Sequence, residues 1–316
     1  MVLETAVCPG LRAAPLLYAA RRQVRRTTSH GAVGGRTETT TMSGTDTETT
    51  ATRVTGETGP DGVLVLTLDG PGRRNAMGRT TVAELDAALD RAWQDDSVRV
   101  VVLTGSGGHF TAGADLKGAT LLGGDPRLVP PVTPVPALDP VHRVLDKLHR
   151  LPKPTIAAVE GCAVGVGWSF ALACDLAIAA ENGFFQAPFT SIGLVPDGGC
   201  AWFLTQAIGV RRAAELLLHG KRLPAARAEQ LGLVNRVVAD GAALEEAVTD
   251  AAQLAAGAQD ALRLTKHILR AAERTPSYRD FLDIELTTAG LALRGPEPRE
   301  GVLAFRERRK PDFRRG

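Results

Sequence analysis

Lys153–Cys200 reads KPTIAAVEGCAVGVGWSFALACDLAIAAENGFFQAPFTSIGLVPDGGC. Two apolar runs in it, Thr155–Val159 and Leu176–Ala180, have the length and continuity of strands buried on both faces. Between them Gly161, Gly165 and Gly167 punctuate a turn that runs into a helical stretch, and the segment closes on the turn Pro196-Asp197-Gly198-Gly199. The glycines allow close main-chain approach and leave N–H groups at a helix start, where negative charge is stabilised.

Working towards the amino terminus, Val98–Leu103 (VRVVVL) is a second buried-strand run, and it leads into TGSGGHFTAGADL at 104–116. Two strand ends, each followed by a glycine turn, can aim two backbone N–H groups at one carbonyl oxygen. Such a pair is an oxyanion hole.

These residues carry a resemblance. Phe110–Leu116 (FTAGADL) is similar to the F-x-A-G-x-D-L signature of the crotonase, or enoyl-CoA hydratase/isomerase, superfamily. Pro154–Gly161 (PTIAAVEG), Gly165-Val166-Gly167 and Ala173-Cys174-Asp175 resemble its second block. The likeness continues through Leu194–Gly199 (LVPDGG) and Gly232–Val237 (GLVNRV) to Phe305–Phe313 (FRERRKPDF), spanning roughly residues 54 to 316 in family order. It implies an α/β, crotonase-like fold of repeated ββα units with a carboxy-terminal helical trimerisation region. The division that follows is an extension over 1–52, an α/β core over 53–240 and a helical region over 241–316.

The remaining sequence fits a globular enzyme. The chain has 316 residues, 44% of them hydrophobic, enough for a sizeable core. Net charge is +2; residues 1–41 hold six Arg and two Glu, +4, so the rest is −2. A nearly neutral body argues against a nucleic-acid partner. Cys8, Cys162, Cys174 and Cys200 have no CxxC spacing, so neither a zinc site nor a disulfide framework is expected, and reduced thiols fit a cytoplasmic protein. No apolar run is long enough to span a bilayer. Residues 1–52 are Arg-rich, then Thr-rich; they read as a transit peptide or as a disordered or mis-started extension with Met42 as the true beginning, the second being preferred because nothing there can bury a core.

Further along, Val63–Leu68 alternates as a strand and Thr81-Val-Ala-Glu84 matches a capping box, followed by Val82, Leu85, Leu89 and Trp93 at helical spacing. The order strand, loop, helix, strand over Val63–Leu103 is the crossover unit of a parallel sheet, right-handed by backbone chirality. Five prolines between Pro126 and Pro136 exclude a regular helix there, leaving a lid, an acyl-chain wall or a plain insertion. A helix is predicted over Val141–Leu151, and another over Gly198–Ile208. Pro224 opens a short helix that Gly232 ends. Beyond Gly241 the pattern is helical, with stripes through Leu244, Val248 and Leu254, then Leu262, Leu264 and Ile268, then Phe281, Leu282, Ile284 and Leu286.

What the resemblance implies for the site is specific. The donors resemble the N–H groups of Ala114 and Val166, with Ala112, Asp115, Leu116, Gly165, Ser169 and Phe189 as substrate-binding positions around them. Arg73 and Arg74 stand where relatives contact coenzyme A phosphates, which guanidinium groups bind bidentately; two solvated loop arginines are the plain alternative. Lys266, Arg306, Arg308, Arg309 and Lys310 are candidates for the nucleotide end of coenzyme A or a solvated face. Relatives that hydrate a double bond use two glutamates, and here Ser169 and Phe189 occupy those positions. Neither can serve as a carboxylate base, so the standard hydratase mechanism is not expected.

One carboxyl remains, Asp197, at a position resembling the acid of single-Asp Δ3,Δ2-enoyl-CoA isomerases. Allylic isomerisation needs one base. Apolar Val195, Phe189 and Trp202 are expected to desolvate it and raise its pKa. A helix N-cap is the structural alternative for Asp197. The position also resembles the nucleophile of aryl-CoA dehalogenases, a thioesterase-like reading that needs a second base; His109 is the one histidine near these motifs, or else an exposed loop residue. A non-catalytic acyl-CoA-binding protein is the third reading. The resemblance implies an acyl-CoA thioester as substrate, no resident cofactor or metal, and a homotrimer or hexamer.

Overall fold

In the computed structural model, residues 51–116 and 135–314 are described. The readings of residues 1–50 and of the proline-rich stretch 117–134 lie outside them. Strands β1 (Arg53–Thr58), β2 (Val63–Asp69), β3 (Val100–Gly105), β4 (Thr155–Val159), β6 (Leu176–Ala180) and β9 (Arg236–Val238) form one sheet in the order β1-β2-β3-β4-β6-β9. All pairs are parallel except β1 with β2. A smaller sheet joins β5 (Cys162–Val164), β7 (Phe184–Gln186) and β8 (Leu223–Pro224).

Register explains how the continuous apolar runs are used. Leu66 pairs Leu103, Leu103 pairs Ala157 and Ala157 pairs Ala177. These face the main core, with Leu64, Leu68, Val101 and Val159 beside them. The alternate residues, Val63, Val100, Val102, Ile156, Ala158 and Ile178, face the other side. Both faces of the central strands β2, β3, β4 and β6 are therefore buried, as interior strands of a covered sheet require, whereas edge strand β1 is largely exposed.

Helix α1 (Arg79–Gln94) packs Val82, Leu85 and Leu89 inwards, while Trp93 is exposed. The capping box is shifted. Gly78 is the N-cap and its N–H donates to Thr81 Oγ1 (3.2 Å), whereas Glu84 accepts from Val54 N–H (2.8 Å) and ties α1 to β1. Helix α2 (Val135–Arg150) begins six residues before the predicted start, because Pro136 lies in the first turn, where no N–H partner is missed, and Pro140 is accommodated inside. Helix α3 (Val166–Ala173) is buried almost all round. Helix α4 (Cys200–His219) is broken at Gly209 and continues well beyond Ile208, and α5 (Ala225–Gln230) follows Pro224.

Four helices, α6 (Ala243–Ala255), α7 (Gln259–Ala272), α8 (Tyr278–Ala292) and α9 (Glu297–Glu307), fill the carboxy-terminal region. The inward face of α6 is not the predicted leucine stripe but Ala243, Ala247, Ala251 and Ala255, all fully buried against the sheet; Leu244 is partly exposed. Small residues every four positions let the helix axis come close to Val100, Val102 and Ile156. Buried Lys266 on α7 donates to Asp175 (2.5 Å) and to the Lys153 carbonyl (2.7 Å). Among the described residues no helix is long and apolar enough to cross a membrane.

Candidate active site

Neighbouring parallel strands β3 and β4 end at the same edge of the sheet, so the loops that follow them meet. Phe110 N–H donates to Glu160 O (2.7 Å), Thr111 N–H to Cys162 O (2.9 Å) and Val164 N–H to Thr111 O (3.0 Å). The Arg73–Met77 loop runs along the other side, with Ala112 N–H on Arg74 O (2.8 Å), Met77 N–H on Gly113 O (2.7 Å) and Asp115 N–H on Met77 O (2.9 Å).

This stitching presses the Gly113-Ala114 turn onto the start of α3. A β-carbon at Gly113, where φ is +85°, would fall 2.3 Å from Val164 O and 3.6 Å from Val166 N. One at Gly167 would fall 2.5 Å from Thr111 Cγ2 and 3.3 Å from Gly113 N. Only glycine permits this approach. The N–H groups of Ala114 and Val166, one beside each glycine, have no acceptor among the described residues. Val166 is the first residue of its helix, so its N–H is one of those a helix leaves unpaired.

The third component arrives from the loop before α4. A β-carbon at Gly198 would meet Leu145 Cδ1 (2.8 Å), Val166 Cγ2 (3.1 Å) and Ser169 Oγ (3.2 Å), which places the Asp197 turn over the start of α3. Ser169 is fully buried and donates to Asp197 O (3.3 Å). Asp197 is half-buried, and its Oδ1 is a buried oxygen without a hydrogen-bond partner. Burial therefore raises its pKa above the ordinary carboxylate value, against smaller lowering influences from the neighbouring His142 and a backbone hydrogen bond.

Asp197 does not cap α4: Gly199 is the N-cap and accepts no side-chain role, while Cys200 N–H donates to Asp197 O (3.1 Å). The desolvating neighbours are also not all those expected. Val195 is 79% exposed, and Trp202 stands with Phe203 and His149 in edge-to-face contacts, centroids 5.0–5.6 Å apart. Leu145 of α2 and Val166 are the apolar groups packed against the adjacent Gly198. A cavity of about 360 Å³ opens beside the turn, lined by His142, Leu145, His149, Gly198, Gly199, Trp202 and Phe203 among others.

The other predicted positions fall into two groups. Ala112, Gly165 and Phe189 lie at the junction, Phe189 buried with its ring tip 3.9 Å from a β-carbon built on Gly165. Arg73 pairs with Asp115 (2.5 Å), Arg74 is exposed and Leu116 is 57% exposed. Lys266, buried on Asp175, is removed from any nucleotide, and Arg309 is engaged by Glu300 and Glu307; burial and local carboxylates outcompete a distant phosphate. Arg306, Arg308 and Lys310 are exposed.

Two residues escape a motif reading. Asn75 is fully buried with φ +56°; its side-chain NH₂ donates to Ser106 O (2.9 Å) and His109 O (2.7 Å), and its Oδ1 accepts from Gly70 N–H (2.9 Å). It locks the arginine loop to the 106–109 turn after β3. An Asn after two loop arginines was the available signal. The second is His142 of α2, whose Nε2 accepts from Gly198 N–H (3.3 Å). His109, the expected neighbour, instead accepts from Cys162 N–H through Nδ1 (3.4 Å), and burial, helped by the Arg74 charge, lowers its pKa. Cys162, Cys174 and Cys200 are free and buried; burial pushes the Cys200 thiol, three positions beyond Asp197, up to about 12. Among the described residues no cluster of His, Cys, Asp or Glu can hold a metal.

A parallel sheet whose adjacent strand ends bring two glycine turns together at the start of a buried helix, under the loop that carries Asp197, is the architecture of the crotonase class of α/β protein. The family model for enoyl-CoA hydratase/isomerase matches residues 58–316, and the chain belongs to that family. It is similar to the 1,2-epoxyphenylacetyl-CoA isomerase of Escherichia coli (37% identity over 257 residues, 80% of this chain and 95% of that protein). It is also similar to the 2,3-dehydroadipyl-CoA hydratase of the same organism (33% over 259 residues, 80% and 95%). Among solved structures, an enoyl-CoA hydratase from Polaromonas sp. JS666 superposes with TM-score 0.76 at 38% identity, covering 84% of this chain and all of that one.

Proposed function

We propose that this chain is an enoyl-CoA isomerase that moves a double bond within an acyl-CoA thioester, with Asp197 as its single acid–base. The observation that carries the reading is Asp197 itself, a half-buried carboxyl with a raised pKa on the turn that packs against Val166 and Ser169. Asp197 takes a proton from the carbon next to the thioester carbonyl of a 3-enoyl substrate. The electron pair moves through the conjugated system to give a dienolate, whose oxygen lies between the Ala114 and Val166 amides. The protonated carboxyl returns the proton two carbons away, and the 2-enoyl thioester results. Preorganised donors of this kind contribute about 3–4 kcal/mol each to such a barrier.

Coenzyme A enters as part of the substrate, and exposed Arg74 is the cation positioned for its phosphates, since Arg73 is held by Asp115. Hydration is disfavoured by chemistry: buried Ser169 and Phe189 cannot deprotonate water. The dehalogenase-like reading needs a second base, and the imidazoles here are engaged otherwise: His109 accepts from Cys162 N–H, His142 from Gly198 N–H, and His149 is packed edge-to-face on Trp202 and Phe203.

Absorbance assays with 3-enoyl-, 2-enoyl- and aryl-CoA thioesters test the proposal. Conversion of 3-enoyl to 2-enoyl thioester is expected, without hydration of the product. Asp197→Asn is expected to lower turnover at least about 100-fold, the usual scale of a lost general base, while retaining coenzyme A binding. Unchanged turnover in that variant would overturn the mechanism, and an acyl-enzyme trapped in the wild-type protein would favour nucleophilic chemistry.

A further inference from the structure

We propose that His142 is a positioning residue for the reaction above, holding the peptide between Asp197 and Gly198 in the orientation that aims the aspartate at the substrate. The inference rests on the isomerase reading for its consequence and on geometry for its substance. That one peptide is held at both ends. Its carbonyl oxygen accepts from Ser169 Oγ (3.3 Å) and from Cys200 N–H (3.1 Å), and its N–H donates to His142 Nε2 (3.3 Å). Gly198 and Gly199 follow with φ of +57° and +76°, so the turn has no side chains of its own to stiffen it. A peptide gripped only at its oxygen pivots about that point, and the Asp197 side chain swings with it; gripped at both ends, it does not.

His142 is separated from Gly198 by 56 residues and stands on α2, an element that also presses Leu145 onto the same glycine. Accepting through Nε2 requires the neutral imidazole with its proton on Nδ1. Of the charged groups around it, Lys147 pairs with Asp90 (2.7 Å), Arg143 with Asp139 (3.1 Å) and Arg150 with Asp146 (3.6 Å), and the Asp197 carboxyl, whose Oδ1 has no hydrogen-bond partner, also interacts with the imidazole. None of these pairs displaces the imidazole from the Gly198 N–H. His142 is exposed, so replacing it removes a hydrogen bond without opening the core.

The test uses the full chain with His142→Phe, which cannot accept, and His142→Gln, whose Oε1 can. Two readouts are taken: steady-state kinetics on a 3-enoyl-CoA thioester, and amide hydrogen exchange of Gly198 by NMR at fixed pH. In His142→Phe, kcat is expected to fall at least about tenfold with KM within about twofold, since small misplacement of a reacting group costs rate rather than binding. Gly198 exchange is expected to accelerate at least about tenfold as the turn opens locally. His142→Gln is expected to recover both to within about threefold of wild type.

Wild-type kcat and exchange in His142→Phe would overturn the proposal, as would His142→Gln as impaired as His142→Phe. Asp197→Asn separates the two layers. If it turns over normally, the isomerase reading fails, and the Gly198 exchange ratio alone still decides whether His142 holds the turn. If it is inactive while His142→Phe is unaffected, only the positioning role falls.

Discussion

Asp197 keeps one carboxyl oxygen buried and unpaired, an arrangement that opposes stability in order to make a base. Because burial raises its pKa, the folded chain holds the proton more tightly than the unfolded chain does. Stability therefore declines as pH rises from the unfolded carboxylate value of about 3.9 through the higher folded value, and the full penalty is present at neutral pH. Asp197→Asn is expected to unfold at a higher temperature than wild type at pH 7, with the difference closing in acid, measured by thermal melts across pH. Wild-type kcat is expected to fall on the acid side through that same raised pKa, where the base becomes protonated. A variant no more stable than wild type at pH 7 would mean that the carboxyl is solvated.

At the scale of elements, α3 contributes its first N–H to the chemistry and Ser169 to the hold on the Asp197 turn. Proline is tolerated in the first turn of a helix, where its missing N–H breaks no intrahelical bond. Val166→Pro should therefore leave the helix intact while lowering kcat about 100- to 1000-fold, the scale of one lost oxyanion donor; Val166→Ala, which keeps the N–H but trims a buried side chain, should cost stability while lowering kcat far less. A different element contact carries stability. Asp175, after α3, accepts from Thr155 N–H (2.8 Å), buried Lys266 (2.5 Å) and Arg270 (3.0 Å), fastening α7 to the sheet. Asp175→Ala strands Lys266 and is expected to cost about 3–5 kcal/mol in urea denaturation, whereas a surface pair would cost under about 1. Strands β4 and β6 coincide residue for residue with their apolar runs, because strands buried on both faces write themselves as unbroken hydrophobic stretches. The glycine turns and Asp197 are equally legible, being local. The α6 alanines, the reach of α2 and the approach of His142 to Gly198 are not, since each depends on which element packs opposite, information that no window of the chain contains.

For the whole molecule, both faces of the main sheet are covered by the chain's own helices, yet large apolar side chains remain outside on α4, α8 and α9. Phe305 is 85% exposed, and Leu286, Leu293, Val302, Leu218 and Val210 are all more exposed than buried. Burying a side chain of this size yields about 1.5–3 kcal/mol, so several together exceed the cost of association. The helical region from Ala243 onwards is accordingly expected to be the assembling part, and light scattering on the full chain should give a mass of three or six subunits. Phe305→Glu and Leu286→Glu each place a charge where the partner would need an apolar surface, and each should shift the protein towards monomer by at least about tenfold in association constant. Neither residue contributes to the Asp197 turn, so any loss of turnover that accompanies dissociation would show that assembly supports the active site. A wild-type chain that stays monomeric at high concentration would mean that these side chains do not drive association.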